Sequence, residues 1–331
     1  MQTRRMVVAA VAAALVSVPA GAQQRGRGRS AAPDEAPTAE MTRMPAVDTV
    51  VVTHHSATIG GQKIDYAATT GTYVVRDDAG TPKATFFFVA YTKDGVANAG
   101  DRPVAFVYNG GPGSASLFTH MGMGPQEVVL TPDGHGMPAP YRIRDNGDSF
   151  LDATDLVFVD AVSTGYSRPA AGQNPAQFYG VEQDADVFSD FIDLYITRSG
   201  RWDSPKFLIG ESYGTTRSAE LAGVLQHRHE IYLNGIVLLS TMAFAPWGAD
   251  DRTEFFLPTF VTSAWYHHLL APELEKLSLD SVAQVARTFA HGAYAQALEK
   301  GDEISPNEYA RVTEELSRLT GLSPEYVDET D

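Results

Sequence analysis

Lys206-Phe207-Leu208-Ile209-Gly210-Glu211-Ser212-Tyr213-Gly214-Thr215 is the stretch on which the architecture turns. Lys206 to Gly210 is a short, largely apolar run that reads as a buried strand, and Thr215 to His227 reads as a helix. Between them lies Gly-x-Ser-x-Gly. A serine hydroxyl is a poor nucleophile until it is presented to a base at the top of a sheet. A strand-to-helix turn presents it, and the turn is tight enough to favour flanking glycines. The N-terminus of the following helix favours negative charge developing nearby. The bare five-residue pattern is weak, and the alternative is a glycine-flanked serine in an ordinary turn. The strand–turn–helix context makes Ser212 the candidate nucleophile.

Working outward, the same texture repeats. Val104 to Tyr108, Asp155 to Asp160 and Gly235 to Ser240 are further short apolar strands. Val181 to Thr197 carries Val187, Phe188, Phe191, Ile192, Leu194 and Tyr195 at helical spacing. Buried strands alternating with helices imply βαβ units and a mostly parallel sheet, hence an α/β fold. Upstream, Thr49 to Thr53, Thr72 to Arg76 and Ala84 to Tyr91 are β-branched or aromatic runs separated by turn signals, which predicts an antiparallel meander. From about Pro246 the strand signal stops. Phe255 to Leu270, Ser281 to His291 and Pro306 to Thr320 read as helices, with Asp280 and Ser305 as N-caps.

A second glycine turn, Tyr108-Asn109-Gly110-Gly111-Pro112-Gly113-Ser114, follows the strand that ends at Tyr108. An oxyanion hole needs backbone N–H groups aimed at one point. In hydrolases of this architecture one comes from such a loop and one from the residue after the nucleophile, which selects Gly111 and Tyr213. The alternatives are a plain turn or a phosphate-cradling loop. The latter needs a following Lys-Ser/Thr or a G-x-G-x-x-G spacing, and neither is present.

Composition narrows the class. The chain has 331 residues with 25 Lys+Arg against 41 Asp+Glu, a net charge of −16, and 44% hydrophobic residues. That is enough apolar mass for a core, and the acidic balance with no basic stripe argues against a nucleic-acid partner. With no cysteine, disulfides, thiolate metal sites and cysteine nucleophiles are excluded. Arg4 and Arg5, the apolar run Met6 to Val18 and the small residues Ala20-Gly21-Ala22 read as a Sec-type signal peptide over 1–22. This predicts an exported protein, periplasmic or secreted, with no membrane association after cleavage. Residues 23–46, rich in Ala, Pro, Arg, Gln and Gly, read as a disordered linker. The remainder divides into a core at 47–245 and a helical region at 246–331.

Asn109-Gly110-Gly111-Pro112-Gly113-Ser114-Ala115-Ser116, Gly124-Pro125, Val159-Asp160 running to Thr164-Gly165-Tyr166-Ser167, and Gly210-Glu211-Ser212-Tyr213-Gly214 occur in that order. Together they resemble the serine carboxypeptidases, the cathepsin A-like group, in texture its bacterial exported branch. The resemblance implies an α/β-hydrolase sheet with antiparallel N-terminal strands and a helical cap inserted after the sixth strand. It implies attack by Ser212 on the last peptide bond of a peptide, with Gly111 and Tyr213 holding the oxyanion. Asn109, Gly110 and Glu211 match the family's substrate-binding positions, of which Asn109 and Glu211 recognise the terminal carboxylate. A carboxylate beside a carboxylate substrate repels it unless protonated, so such enzymes favour acidic conditions. Neither cofactor nor metal is implied.

The sequence also departs from that pattern. The family's second clamp glutamate falls at Gly122, with Met123 beside it, and its cysteine after Gly-Pro-Gly is Ser114. A site missing one hydrogen-bonding partner discriminates less, which leaves an esterase or acyltransferase on the same scaffold as an alternative. Triad order in this fold is Ser, Asp, His. Asp280 and His291 are in order but bracket an amphipathic helix and read as helix-end residues. The triad Asp and His, with the last strands of the sheet, are therefore expected beyond Asp331, and an inactive fragment is the further alternative. His227 and His229 suit a helix C-terminus, His267-His268 a loop or core role, and the adjacent His54-His55 are weak metal ligands.

Overall fold

The computed structural model describes residues 46–241 and 256–329. The expected signal peptide and nearly all of the expected linker lie outside them. The described residues fall into two compact units, divided between Phe244 and Ala245.

The first unit is an eight-stranded sheet with helices. In chain order its elements are β1 (Thr49–Ile59), β2 (Gln62–Arg76), β3 (Pro82–Lys93), β4 (Val104–Tyr108), α1 (Leu117–Met123), β5 (Gln126–Val128), β6 (Ile143–Asp145), β7 (Asp155–Val159), β8 (Arg168–Pro169), α2 (Val181–Arg198), β9 (Lys206–Glu211), α3 (Tyr213–His229) and β10 (Gly235–Leu239). The order across the sheet is β1-β2-β3-β7-β4-β9-β10, with β8 paired to β3; β5 and β6 form a separate hairpin. β1, β2, β3 and β7 pair antiparallel. β7, β4, β9 and β10 are parallel. The expected antiparallel meander thus feeds a parallel core, the arrangement that the short apolar runs require.

The central strands β4 and β7 are apolar because both faces are covered, whereas β10, at the end of the strand order and expected to be buried, leaves Ile236, Val237 and Leu238 exposed. All five residues of β4 are buried, as are all five of β7. Successive side chains of a strand point to opposite faces. Val104, Phe106 and Tyr108 accordingly join a cluster with Phe188, Phe191, Ile192 and Leu221 from α2 and α3. Ala105 and Val107 join the opposite cluster with Ile59, Tyr66, Leu156 and Ile209. Aromatic packing fixes the first: Phe86 stacks on Phe191 at 5.1 Å, and Phe88 meets Tyr195 edge-on at 5.6 Å.

The first two strands run longer than their β-branched stretches suggest. β1 continues through His54, His55 and Ser56 because each is carried by its register with β2, opposite Ala67, Tyr66 and Asp65. The turn at Ile59-Gly60-Gly61 closes that hairpin, with Gly60 and Gly61 both at positive φ.

The second unit is helical: α4 (Leu257–Tyr266), α5 (Pro272–Glu275), α6 (Leu279–Phe289), α7 (Ala295–Lys300), α8 (Pro306–Thr320) and α9 (Pro324–Glu329). Its core gathers Leu257, Val261, Leu274, Val282, Ala286 and Leu319. Ser305 caps α8 as expected, accepting from the Glu308 amide. Asp280 does not cap α6. Ser278 does, accepting from Ser281 N, and Asp280 lies in the first turn, where a carboxylate suits the helix dipole. No helix among the described residues is long and apolar enough to cross a membrane.

Candidate active site

The register of the parallel strands brings the two glycine turns together. Tyr108 at the end of β4 lies opposite Gly210 near the end of β9, so the segments after them emerge side by side. Asn109 and Glu211 meet there: the Asn109 side-chain amide donates to the Glu211 carboxylate at 2.9 Å. The Asn109 side-chain oxygen is held from the other side by the Thr119 amide and hydroxyl, both at 3.1 Å. An amide clamped at both ends has one orientation, and Asn109 is buried.

Ser212 occupies the turn between β9 and α3 with φ 55° and ψ −122°. This backbone conformation is sparsely populated for a residue with a side chain, and such strain costs about 1–3 kcal/mol. Surrounding contacts hold it. The Ser212 amide donates to Leu239 O of β10 at 2.9 Å, and its carbonyl accepts from the Thr215 amide and hydroxyl at 2.9 and 2.7 Å. The turn is closed by Gly210, where a Cβ would lie 2.1 Å from Gly214 O and 2.6 Å from Ser218 Oγ. Ser212 is half-buried, and its hydroxyl makes no hydrogen bond among the described residues.

The loop after β4 presses directly onto this turn. A Cβ on Gly110 would stand 2.4 Å from Tyr213 N and 2.6 Å from Glu211 O. Gly111, at φ 108°, carries the chain round the turn, and Ser114 N closes it on Gly110 O at 3.1 Å. Beneath the loop, Ser116 Oγ accepts from Asn109 N at 3.3 Å and donates to Val159 O. Asp160 takes the Ser116 amide at 2.8 Å and the Tyr166 amide at 3.2 Å. Burial pushes the Asp160 carboxyl up from the ordinary aspartate range. The Asp160–Ser167 stretch therefore serves as a brace for the glycine loop.

The structure thus brings Asn109, Gly110, Gly111, Glu211, Ser212 and Tyr213 to one end of the sheet. The other singled-out residues lie elsewhere. His54 and His55 are exposed on β1, His54 against Asp94 at 3.2 Å. His227 and His229 lie in the last turn of α3, with His229 3.0 Å from the buried Ser189 hydroxyl. His268 bonds Glu275 at 3.1 Å, and His291 sits in a π-helical turn after α6. Two residues of the site's surroundings escaped sequence reasoning, Asp184 and Arg217, which form a buried ion pair at 2.8 Å. A buried arginine on a helix gives no local sequence signal.

A mixed sheet with a parallel core, a strained serine at a strand–helix turn and a glycine loop pressed against it define an α/β-hydrolase. The chain belongs to the serine carboxypeptidase family, whose model matches residues 61–309. Among solved structures it is similar to a prohormone-processing carboxypeptidase from Saccharomyces cerevisiae. Identity there is 19% and the TM-score 0.46, covering 77% of this chain and 53% of that one. It is similar also to a rice cell wall degrading esterase from Xanthomonas oryzae, at 12% identity and TM-score 0.35, covering 67% of this chain and 54% of that one. The chain therefore spans about half the length of these structures. No curated protein matches it.

Proposed function

We propose that the protein is an exported serine carboxypeptidase, in which Ser212 attacks the carbonyl carbon of the last peptide bond of a peptide. In this reading the tetrahedral oxyanion is held by the Gly111 and Tyr213 N–H groups. The bond to the leaving amino acid breaks, and water then releases the peptidyl group from Ser212. Residues 47–245 are the hydrolase core and 246–331 the helical cap. The general base and the acid that orients it are supplied by residues other than those described.

The observation that carries the reading is the Asn109–Glu211 hydrogen bond at 2.9 Å, one residue before the strained serine. In this reading the paired Asn109 amide and Glu211 carboxyl group meet the free C-terminus of the substrate. An internal peptide bond offers no such group. The family match over residues 61–309 supports the same chemistry.

The open position of Gly122, where a Cβ would meet nothing within 4 Å, favours a second reading. With no side chain there to complete the clamp, discrimination for a free carboxylate weakens, and ester hydrolysis or acyl transfer becomes accessible. One assay set separates the two. The full natural gene product is given blocked dipeptides, their C-terminal amides and short acyl esters, with Ser212→Ala as control. Preference for the free acid over amide and ester supports the carboxypeptidase, and equal or better turnover of esters supports the alternative. Full activity in Ser212→Ala would remove the nucleophile from both.

A further inference from the structure

Arg217, on the first turns of α3, is among the largest fully buried side chains of the described residues, at 1% exposure. Burying a guanidinium is costly unless its N–H groups are paired. Nε donates to Asp184 of α2 at 2.8 Å, and one terminal nitrogen donates to the Asn109 carbonyl at 2.9 Å. The other terminal nitrogen has no hydrogen-bond partner among the described residues. The guanidinium lies over the rings of Tyr108, Phe188 and Tyr213, at 5.2 to 5.3 Å from their centres. The Tyr213 phenol hydrogen-bonds the same Asp184, and burial pushes that phenol up to about 12, so it stays a neutral donor.

These bonds make one continuous path: Tyr213 phenol, Asp184 carboxylate, Arg217 guanidinium, Asn109 carbonyl. Its two ends are the two sides of the proposed oxyanion hole. The peptide plane is rigid, so fixing the Asn109 carbonyl fixes the orientation of the plane that opens the Gly110-Gly111 turn. Tyr213 supplies the other N–H, and its side chain is tethered to the same carboxylate. The two segments are about a hundred residues apart in sequence, so nothing local sets their spacing.

We infer that Asp184 and Arg217 are positioning residues, a buried ion pair that sets the two N–H donors at the spacing an oxyanion needs. The inference rests on the reading of Ser212 as nucleophile. Neither residue touches the reacting atoms. An oxyanion exists only in the transition state and the tetrahedral intermediate, so misplacing its donors slows the chemical step and leaves substrate binding largely alone.

The test uses the full natural gene product with Asp184→Leu/Arg217→Met, which replaces both charges by apolar groups of similar size and so leaves no lone buried charge. Arg217→Lys keeps the charge but not the two-pronged donor geometry. Each variant is measured for melting temperature, for kcat and KM on a blocked dipeptide, and for inhibition by a peptidyl boronate, which forms a tetrahedral adduct, and by the product acid. The expected result for the double variant is a parent-like melting temperature, kcat lower by about 10- to 100-fold, KM within about threefold, and boronate affinity falling with kcat while product affinity holds. Arg217→Lys is expected to fall between. Parent-like kcat and boronate affinity in a folded double variant would overturn the inference, and so would a loss confined to KM. Should the double variant fail to fold, Arg217→Lys decides by the same two quantities. Full activity in Ser212→Ala would instead overturn the nucleophile reading beneath it, a result the ion-pair variants cannot mimic.

Discussion

Gly110 and Tyr213 touch so closely that a Cβ on the first would lie 2.4 Å from the backbone nitrogen of the second. That space is closed by backbone, which cannot rotate away as a side chain can. Gly110→Ala must therefore push the loop off the serine turn. A displacement of about 1 Å at a catalytic donor costs about 100-fold in rate. Fluorophosphonate labelling of Ser212 is expected to slow by at least about that factor. Gly113→Ala is the control, since its Cβ would meet nothing within 4 Å, and it should label at the parent rate. Equal labelling in the two variants would refute the close-approach argument.

Asp155 anchors the opposite end of the sheet. Its carboxylate takes Arg102 Nε at 2.6 Å, Arg201 Nη1 at 2.5 Å and the Lys93 amide at 3.0 Å. Arg201 is 3% exposed, so removing its partner leaves a buried charge uncompensated. Asp155→Ala is expected to lower stability by about 3–5 kcal/mol, read from the urea midpoint. Asp155 pairs with Val104 at the start of β4, whereas the site follows Tyr108 at its end. Under conditions where the variant remains folded, Ser212 labelling should therefore match the parent. A stability loss under about 1 kcal/mol would mean that the network is dispensable.

His120, on α1, bonds the Tyr91 hydroxyl at 2.7 Å and stacks on Phe158 at 4.5 Å. Burial pulls it down to about 4 from its ordinary 6.5. The folded state thus holds His120 neutral while the unfolded chain protonates it near the ordinary value. Its contribution is intact above pH 6.5 and is lost as the pH falls from there toward 4. The loss is at most about 3 kcal/mol. Asp160, whose carboxyl is raised by burial, works in the opposite sense, so the comparison is made within one pair of proteins. Urea unfolding of the parent and of His120→Gln at about pH 7 and pH 4.5 isolates the histidine. The gap between the two should shift in favour of the variant at the lower pH, and parallel pH profiles would exclude His120 as the source.

How much of this was legible depended on where the determining contact lies. β4 reads directly from Val104-Ala-Phe-Val-Tyr108 because burial on both faces demands an unbroken apolar run. The Gly210–Gly214 turn reads because the chain doubles back so closely at Gly210 that a Cβ there would lie 2.1 Å from Gly214 O. Arg217 did not read. It stands in Thr215-Thr216-Arg217-Ser218 like any charged helix residue, and its partner Asp184 is 33 positions away. α1 was missed for a different reason: it is seven residues long, contains Gly122, and owes its place to Thr119 bonding Asn109. Asp280 was misread because the helix starts at Leu279, which puts Ser278 at the cap and Asp280 inside the first turn.

Gly122 offers the sharpest test of substrate class. It lies within α1, its carbonyl accepts the Asn146 side-chain amide at 3.1 Å, and a Cβ there would enter open space. Gly122→Glu is thus sterically free, leaves that backbone bond untouched, and removes a glycine from a helix, which favours folding by up to about 1 kcal/mol. If Asn109 and Glu211 hold a substrate carboxylate, a second carboxyl at Gly122 adds one more partner that can share a proton with it. The ratio of kcat/KM for a peptide acid over its amide should then rise by about tenfold at about pH 5, where carboxyl groups still share protons. The gain should shrink toward pH 7, as the introduced group ionises and repels the substrate's charge. An unchanged acid-to-amide ratio in a folded, labelling-competent Gly122→Glu protein would place the carboxylate away from Asn109 and Glu211, and the ester-hydrolase reading would then take precedence.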